Sequence, residues 1–392
     1  MLRRRRAPIP GTLEETDAAW LTSALHDADA LPADARVTAF TPEPLGGGVG
    51  FGGVTVRLRL SYEPADAGPA TVVAKYASTD PINKGVFESQ DIYGREIAFY
   101  RNLAHELPIR VPAHCGSAMD PPPPAPVVNT MNALIRNAPP IVHIKATENV
   151  VKLLRPSSRR YALLIEELDG DVYDMVHPAP RELLGPALDQ LAALHAAFWG
   201  RTELVGTNHM RPLLGPMPRM YANVYEPVCR PLAIERWEWL DDDLLARLDD
   251  AAPRLEADWA RMNEPTTFLH GDTRIDNLLF PADGAPIFID WGATAMGHPG
   301  FDIGYMLSST LDGDDAPAVL DALLDRYRTS LAEHGRQIDA AELRDMTQTA
   351  MRGIAIQLMA ALPILKGGYG DASLTDCWMP RLVRLLDPVA AR

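Results

Sequence analysis

Phe268-Leu269-His270-Gly271-Asp272-Thr273-Arg274-Ile275-Asp276-Asn277-Leu278-Leu279-Phe280 is the stretch on which the reading of this chain turns. Apolar flanks enclose a short loop that projects an Asp and, five residues later, an Asn. Thirteen residues beyond Asn277, Asp290 closes the apolar run Pro286-Ile287-Phe288-Ile289. Asn and Asp oxygens are hard ligands suited to Mg²⁺, which keeps water and borrows further oxygens from substrate phosphates. Asn277 and Asp290 are thus candidate magnesium ligands, and Asp272 is left to accept or orient a hydroxyl proton. Phosphoryl transfer needs that division of labour. Plain loop capping by Asn and Asp is the poorer reading of three such residues at this spacing.

His270-Gly271-Asp272 with Asn277, then Ile289-Asp290-Trp291, resembles the aminoglycoside phosphotransferase and choline kinase superfamily. Within it, the wording HGDxRxDNLLF and the segment Glu96-Ile97-Ala98-Phe99-Tyr100 are most similar to the ecdysteroid-kinase-like branch, and also to hydroxyacyl kinases fused to acyl-CoA dehydrogenases. The resemblance covers residues 40–365. It implies an α+β, bilobal protein-kinase-like fold, with a small β-rich N-terminal lobe and a large α-helical C-terminal lobe. It also implies Mg²⁺ and ATP, the letters not separating ATP from GTP. Asp272 would be catalytic, Asn277 and Asp290 metal-binding, and His270 and Gly271 would hold the loop. Arg274 stands where protein kinases carry a Lys that steadies the transferring phosphate, a task a guanidinium performs bidentately. A mere ion pair with Asp276 or Asp302 is the equal alternative.

Upstream, Gly48-x-Gly50-x-x-Gly53 has the letters of a dinucleotide fingerprint, which requires a helix next. Here a strand follows, Val54-Thr55-Val56-Arg57-Leu58-Arg59-Leu60, alternating with period two. The glycines therefore read as a hairpin loop whose N–H groups approach phosphates. Lys75 ends a second strand and matches the lysine that contacts nucleotide phosphates in kinase folds. Its ion-pair partner is expected to be Glu96, with Glu88 the competitor. The resemblance makes Glu166, Glu167 and Leu168 the segment joining the lobes and contacting the nucleotide. His195 reads as a core histidine and Asp302 as a brace for the loop. Tyr221, Tyr225, Trp237 and Trp239 read as helical core before they read as an acceptor pocket.

The chain has 392 residues, 47% of them apolar, enough for a sizeable core, and a net charge of −15 that argues against a nucleic-acid partner. Cys115, Cys229 and Cys377 show neither zinc spacing nor a disulfide framework. Arg3–Arg6 is followed by Ala7-Pro8-Ile9-Pro10-Gly11 rather than an apolar core. Gly353 to Leu365, which includes Gln357 and Pro363, is too short to span a bilayer. The expectation is a cytoplasmic protein with no membrane partner and an undetermined oligomeric state. Its lobes should span 1–168, including an insertion at 117–160, and 169–392. A first helix is predicted over 12–30, capped by Thr12 with Glu15. The expected activity is phosphorylation of a small, largely apolar hydroxylated metabolite. The alternatives are an aminoglycoside- or other antibiotic-modifying phosphotransferase and a silent nucleotide-binding pseudokinase.

Overall fold

The computed structural model describes residues 8–45, 53–153, 155–175, 179–207, 210–213, 215–264, 266–366 and 372–388. The chain divides into two compact units, Met1–Glu106 with Val111–Pro122 and Leu154–Asp169, and Leu107–Arg110 with Pro123–Leu153 and Gly170–Arg392. The first is β-rich and the second mostly helical, which is the α+β class expected.

The first unit contains α1 (Ala18–Asp27), β1 (Arg36–Pro44), β2 (Gly53–Glu63), β3 (Thr71–Ala77), α2 (Pro81–Ser89), α3 (Ile92–Asn102), β4 (His114–Met119) and β5 (Tyr161–Glu166). Its five strands form one antiparallel sheet in the order β1-β2-β3-β5-β4. The period-two reading of β2 holds. Val56, Leu58 and Leu60 are buried, whereas Arg57 and Arg59 reach Glu43 on the other face. Trp20, Leu21 and Leu25 of α1 join Val56, Leu58, Val72, Ala74 and Leu164 in one core. Each fully buried leucine there contributes about 1.5–3 kcal/mol.

The first helix starts later than expected. Asp17, not Thr12, is the N-cap, its carboxylate accepting the Trp20 N–H at 2.7 Å. Glu15 instead accepts the Gly11 N–H at 2.7 Å, so residues 11–15 close a turn ahead of the helix.

The second unit holds α4 (Ala125–Asn137), α5 (Pro140–Glu148), α6 (Val150–Leu153), β6 (Asp171–Val172), α7 (Leu184–Ala197), β7 (Arg211–Pro212), α8 (Met217–Val224), α9 (Arg230–Arg236), α10 (Asp242–Ala251) and α11 (Leu255–Met262). After these come β8 (Thr267–Leu269), β9 (Leu278–Phe280), β10 (Ile287–Phe288), β11 (Ala295–Gly297), α12 (Gly300–Thr310), α13 (Ala316–Glu333), α14 (Ala340–Lys366) and α15 (Ala372–Leu385). Two three-stranded sheets, β10-β9-β6 and β7-β11-β8, interrupt the helices. The expected 117–160 insertion is divided between the units. Asp120 holds the Arg160 N–H at 2.9 Å beside the first unit's sheet. Buried His143 of α5 meets Asn223 of α8 at 2.9 Å, which seats 123–153 in the second unit.

Candidate active site

The loop leaving β8 is held from below by one buried carboxylate. Asp302, in the first turn of α12 and fully buried, accepts the N–H groups of His270 at 2.8 Å and Gly271 at 2.9 Å. Its backbone carbonyl accepts the Thr273 hydroxyl at 2.6 Å. His195 stands behind it, with Nε2 3.3 Å from Asp302 and Nδ1 2.9 Å from the Tyr327 hydroxyl. A carboxylate only accepts, so Nε2 carries the proton and Nδ1 accepts from Tyr327. His195 is a core residue and Asp302 a brace, in the arrangement the sequence suggested.

Gly271 has φ +82°, and a Cβ there would lie 2.1 Å from the Ala293 carbonyl oxygen. Both the conformation and the space demand glycine. His270 Nδ1 accepts the Asp272 N–H at 3.2 Å, so Nε2–H donates to the Ile289 carbonyl at 2.9 Å. Burial lowers the pKa of this imidazole below its ordinary value, against the pull of Asp302 and Asp272. The ring therefore ties the Asp272 loop to the strand that delivers Asp290.

A hairpin brings the two expected metal ligands to one end. Leu278 pairs with Phe288 across β9 and β10, and the Ile289 N–H donates to the Asn277 carbonyl at 2.9 Å. Asn277 spends its amide N–H on the Asp272 carbonyl at 2.8 Å, which leaves the amide oxygen for a ligand. Asp290 sits at φ +64°, a left-handed conformation that a non-glycine residue holds at a cost of about 1–3 kcal/mol. Trp291, fully buried, fixes the turn after it: Nε1–H donates to the Phe288 carbonyl at 3.0 Å, and the ring lies 4.4 Å from His270. Among the described residues no group of three or more His, Cys, Asp or Glu is placed to enclose a metal. One carboxylate with one amide oxygen still suits magnesium, which is held by few protein oxygens beside substrate phosphates.

Arg274 grips Asp272 itself. Its Nε is 2.8 Å from Asp272 Oδ1 and Nη2 is 3.3 Å from Oδ2, while Nη1 lies 3.4 Å from Asp276 Oδ2. Desolvation opposes the guanidinium charge, but Asp272 and Asp276 outweigh it and raise its pKa well above the ordinary value. Asp276, opposite, is raised above its ordinary value by burial despite Arg274. Asp276 was an expected partner of Arg274, whereas Tyr305 did not stand out in the sequence as part of this group. Burial, with Asp272 close by, pushes the Tyr305 phenol up, so it stays protonated.

In the first unit, Lys75 Nζ meets Glu96 Oε1 at 2.6 Å with both side chains largely buried. Glu88, the competitor, accepts the Ser157 N–H at 2.7 Å and hydroxyl at 2.8 Å. Gly53 opens β2, where a Cβ would lie 2.1 Å from the Tyr76 carbonyl oxygen. Gly48 and Gly50 lie outside the described residues. Glu166 exchanges two hydrogen bonds with Ala113, giving its N–H at 2.8 Å and accepting the Ala113 N–H at 3.0 Å. Glu167 accepts from Arg57 Nε at 2.6 Å. Both acids serve the sheet, and Leu168 beside them is half-buried. Tyr221, Tyr225 and Trp237 are buried, with Tyr225 donating to Asp249 and Trp237 to Asp376.

The phosphotransferase enzyme family matches residues 93–340. No curated protein matches the sequence closely enough to count as a relative. Among solved structures, the GDP and kanamycin complex of APH(2")-IIia superposes with a TM-score of 0.53 at 13% identity, covering 92% of this chain and 97% of that one. The GDP complex of wild-type aminoglycoside 2'-phosphotransferase-IIIa gives 0.52 at 13% identity, with 88% and 93% covered. A choline kinase from Cryptosporidium parvum Iowa II gives 0.48 at 10% identity, with 88% of each chain covered. At these identities the likeness is one of fold. Among the described residues no helix is long and apolar enough to cross a membrane.

Proposed function

The chain belongs to the phosphotransferase enzyme family, and from that premise we propose that it is a kinase that moves the γ-phosphoryl group of ATP, with Mg²⁺, to a hydroxyl of a small, largely apolar metabolite. The observation that carries this reading is the β9–β10 hairpin end, where Asn277 precedes one strand, Asp290 follows the other, and His270 ties in the Asp272 loop. Asp272 orients the acceptor hydroxyl and takes its proton as the new O–P bond forms. Arg274, already charged and forked onto Asp272, supplies donors of the right planar shape for a phosphoryl group. Lys75, steadied by Glu96, would hold nucleotide phosphates. Glu166, Glu167 and Leu168 would contribute through backbone groups, since the two carboxylates are engaged elsewhere. Magnesium, held by Asn277 and Asp290, would neutralise charge on the phosphate oxygens.

Support for a nucleotide comes from the fold shared with two GDP complexes, which leaves GTP beside ATP as co-substrate. An aminoglycoside acceptor is the second reading, favoured by the fold shared with a kanamycin complex and by a net charge of −15. One experiment separates them. The purified chain is incubated with Mg²⁺ and γ-labelled ATP or GTP against sterols, hydroxyacyl thioesters, simple alcohols and aminoglycosides, with Asp290→Ala alongside. Label on an apolar alcohol from the wild type alone is the expected result. Label on an aminoglycoside selects the second reading, and nucleotide binding without any product makes the chain a pseudokinase.

A further inference from the structure

Six of the nine large apolar side chains that stand about half exposed among the described residues fall within 127–153 of the second unit. They are Val127, Met131, Leu134, Ile141, Val142 and Leu153, with exposures from 49% to 64%. Val127, Met131 and Leu134 are spaced i, i+4, i+7, one stripe of α4, a helix that buries none of its residues. The stripe belongs to an ordered, docked hairpin. His143 is 2% exposed, and its Nε2 lies 2.8 Å from the Ile135 carbonyl at the end of α4. Its Nδ1 then accepts from the Asn223 amide of α8 at 2.9 Å. The hairpin is thus pinned to the second unit through His143, while six apolar side chains stay in water. Apolar exposure concentrated in one segment in this way marks a surface that meets something else.

Charge says what it meets. Residues 123–153 carry Arg136, Lys145 and Lys152 against the single acid Glu148, a net of +2 inside a chain of −15. All three cations are exposed. A second copy of this chain fits poorly, because a two-fold interface sets the patch against itself and cation against cation. An anionic lipid surface matches both features, taking apolar side chains between acyl chains and basic ones among headgroups. We propose that the α4–α5 hairpin is an interfacial anchor that docks this chain on an anionic bilayer without crossing it. This departs from the absence of a membrane partner expected from composition, and it is independent of the kinase reading.

The test is co-sedimentation of the full chain with vesicles of phosphatidylcholine, with and without a quarter of phosphatidylglycerol. Wild type should pellet with the anionic vesicles, at least about tenfold more than with phosphatidylcholine alone, and added salt should weaken binding. Val127→Glu with Met131→Glu and Leu134→Glu should abolish pelleting, and Arg136→Glu with Lys152→Glu should remove the preference for the anionic lipid. Ile234→Glu, an equally exposed apolar residue elsewhere, should change nothing. All these positions are exposed, so unchanged melting of the variants confirms that folding is intact. Equal binding to both vesicle types, or none, overturns the proposal. So does concentration-dependent self-association without lipid that the triple variant abolishes, which would make the face a contact between copies.

Discussion

Arg274 makes more contacts in the loop than its spacing disclosed. The sequence set phosphate contact against pairing with Asp276 or Asp302. In the structure the guanidinium is shared between Asp272 and Asp276, and Asp302 instead serves the loop backbone. Side chains two residues apart converge only because a tight turn at Ile275–Asn277 folds Arg274 and Asp276 together, and no spacing rule exposes that. Lys at this position keeps the charge and loses the fork. Arg274→Lys should therefore lower kcat by about tenfold to a hundredfold with nucleotide binding little changed, as steady-state kinetics and calorimetry would read. Asp272→Asn should lower kcat by about 10²–10⁴-fold with nucleotide affinity retained, and equal losses in both would make Asp272 a binding residue. Gly271→Ala places a Cβ against the Ala293 carbonyl at positive φ. It should cost about 3 kcal/mol or more of stability, visible as a lowered denaturation midpoint.

At the scale of elements, the hairpin β9–β10 and the β8 exit were legible because apolar flanks and a short loop leave few ways to fold. The Lys75–Glu96 pair was legible through the family resemblance, which expects a Glu shortly before Phe-Tyr on the next helix. β1 was not, because Pro42 and Pro44 suppress a strand reading; it lies at the sheet edge, where proline forfeits no ladder bond. α1 was placed too early because Thr12 and Glu15 mimic a capping box, whereas Asp17 wins the cap. The brace under the loop gives a prediction of its own. Asp302→Ala strips the His270 and Gly271 N–H groups of their buried acceptor, and should destabilise the second unit by about 3–5 kcal/mol. Thermal unfolding followed by tryptophan fluorescence would show it, since Trp291 lies against His270.

For the whole molecule, the division into a β-rich and a helical unit followed from the order of patterns, while the seat of 123–153 did not. That seat depends on the His143–Asn223 contact, made across 80 residues of chain. Stability should depend on pH in both units. Burial, with Arg101 adding to it, lowers His114 of the first unit to about 4, and burial, with His195 adding to it, lowers His298 of the second to about 4. Below an unfolded histidine value of about 6.5 the unfolded chain binds these protons and the folded chain does not. Stability should hold above that value and fall as pH drops toward 4, as denaturant titrations across this range would record. Burial also raises Cys115 to about 11 and Cys229 to about 12, so neither thiol should react with a maleimide until the chain unfolds.

Under the proposed function, Asn277 and Asp290 make a metal site that completes a nucleotide site. Calorimetric titration of ATP into the chain, with and without Mg²⁺ and in wild type and Asp290→Ala, tests it most directly. Tight binding is expected only for wild type with Mg²⁺, with at least about tenfold weaker binding without the metal and little metal dependence in the variant. Equal ATP affinity in all four titrations, or no binding in any, would contradict it.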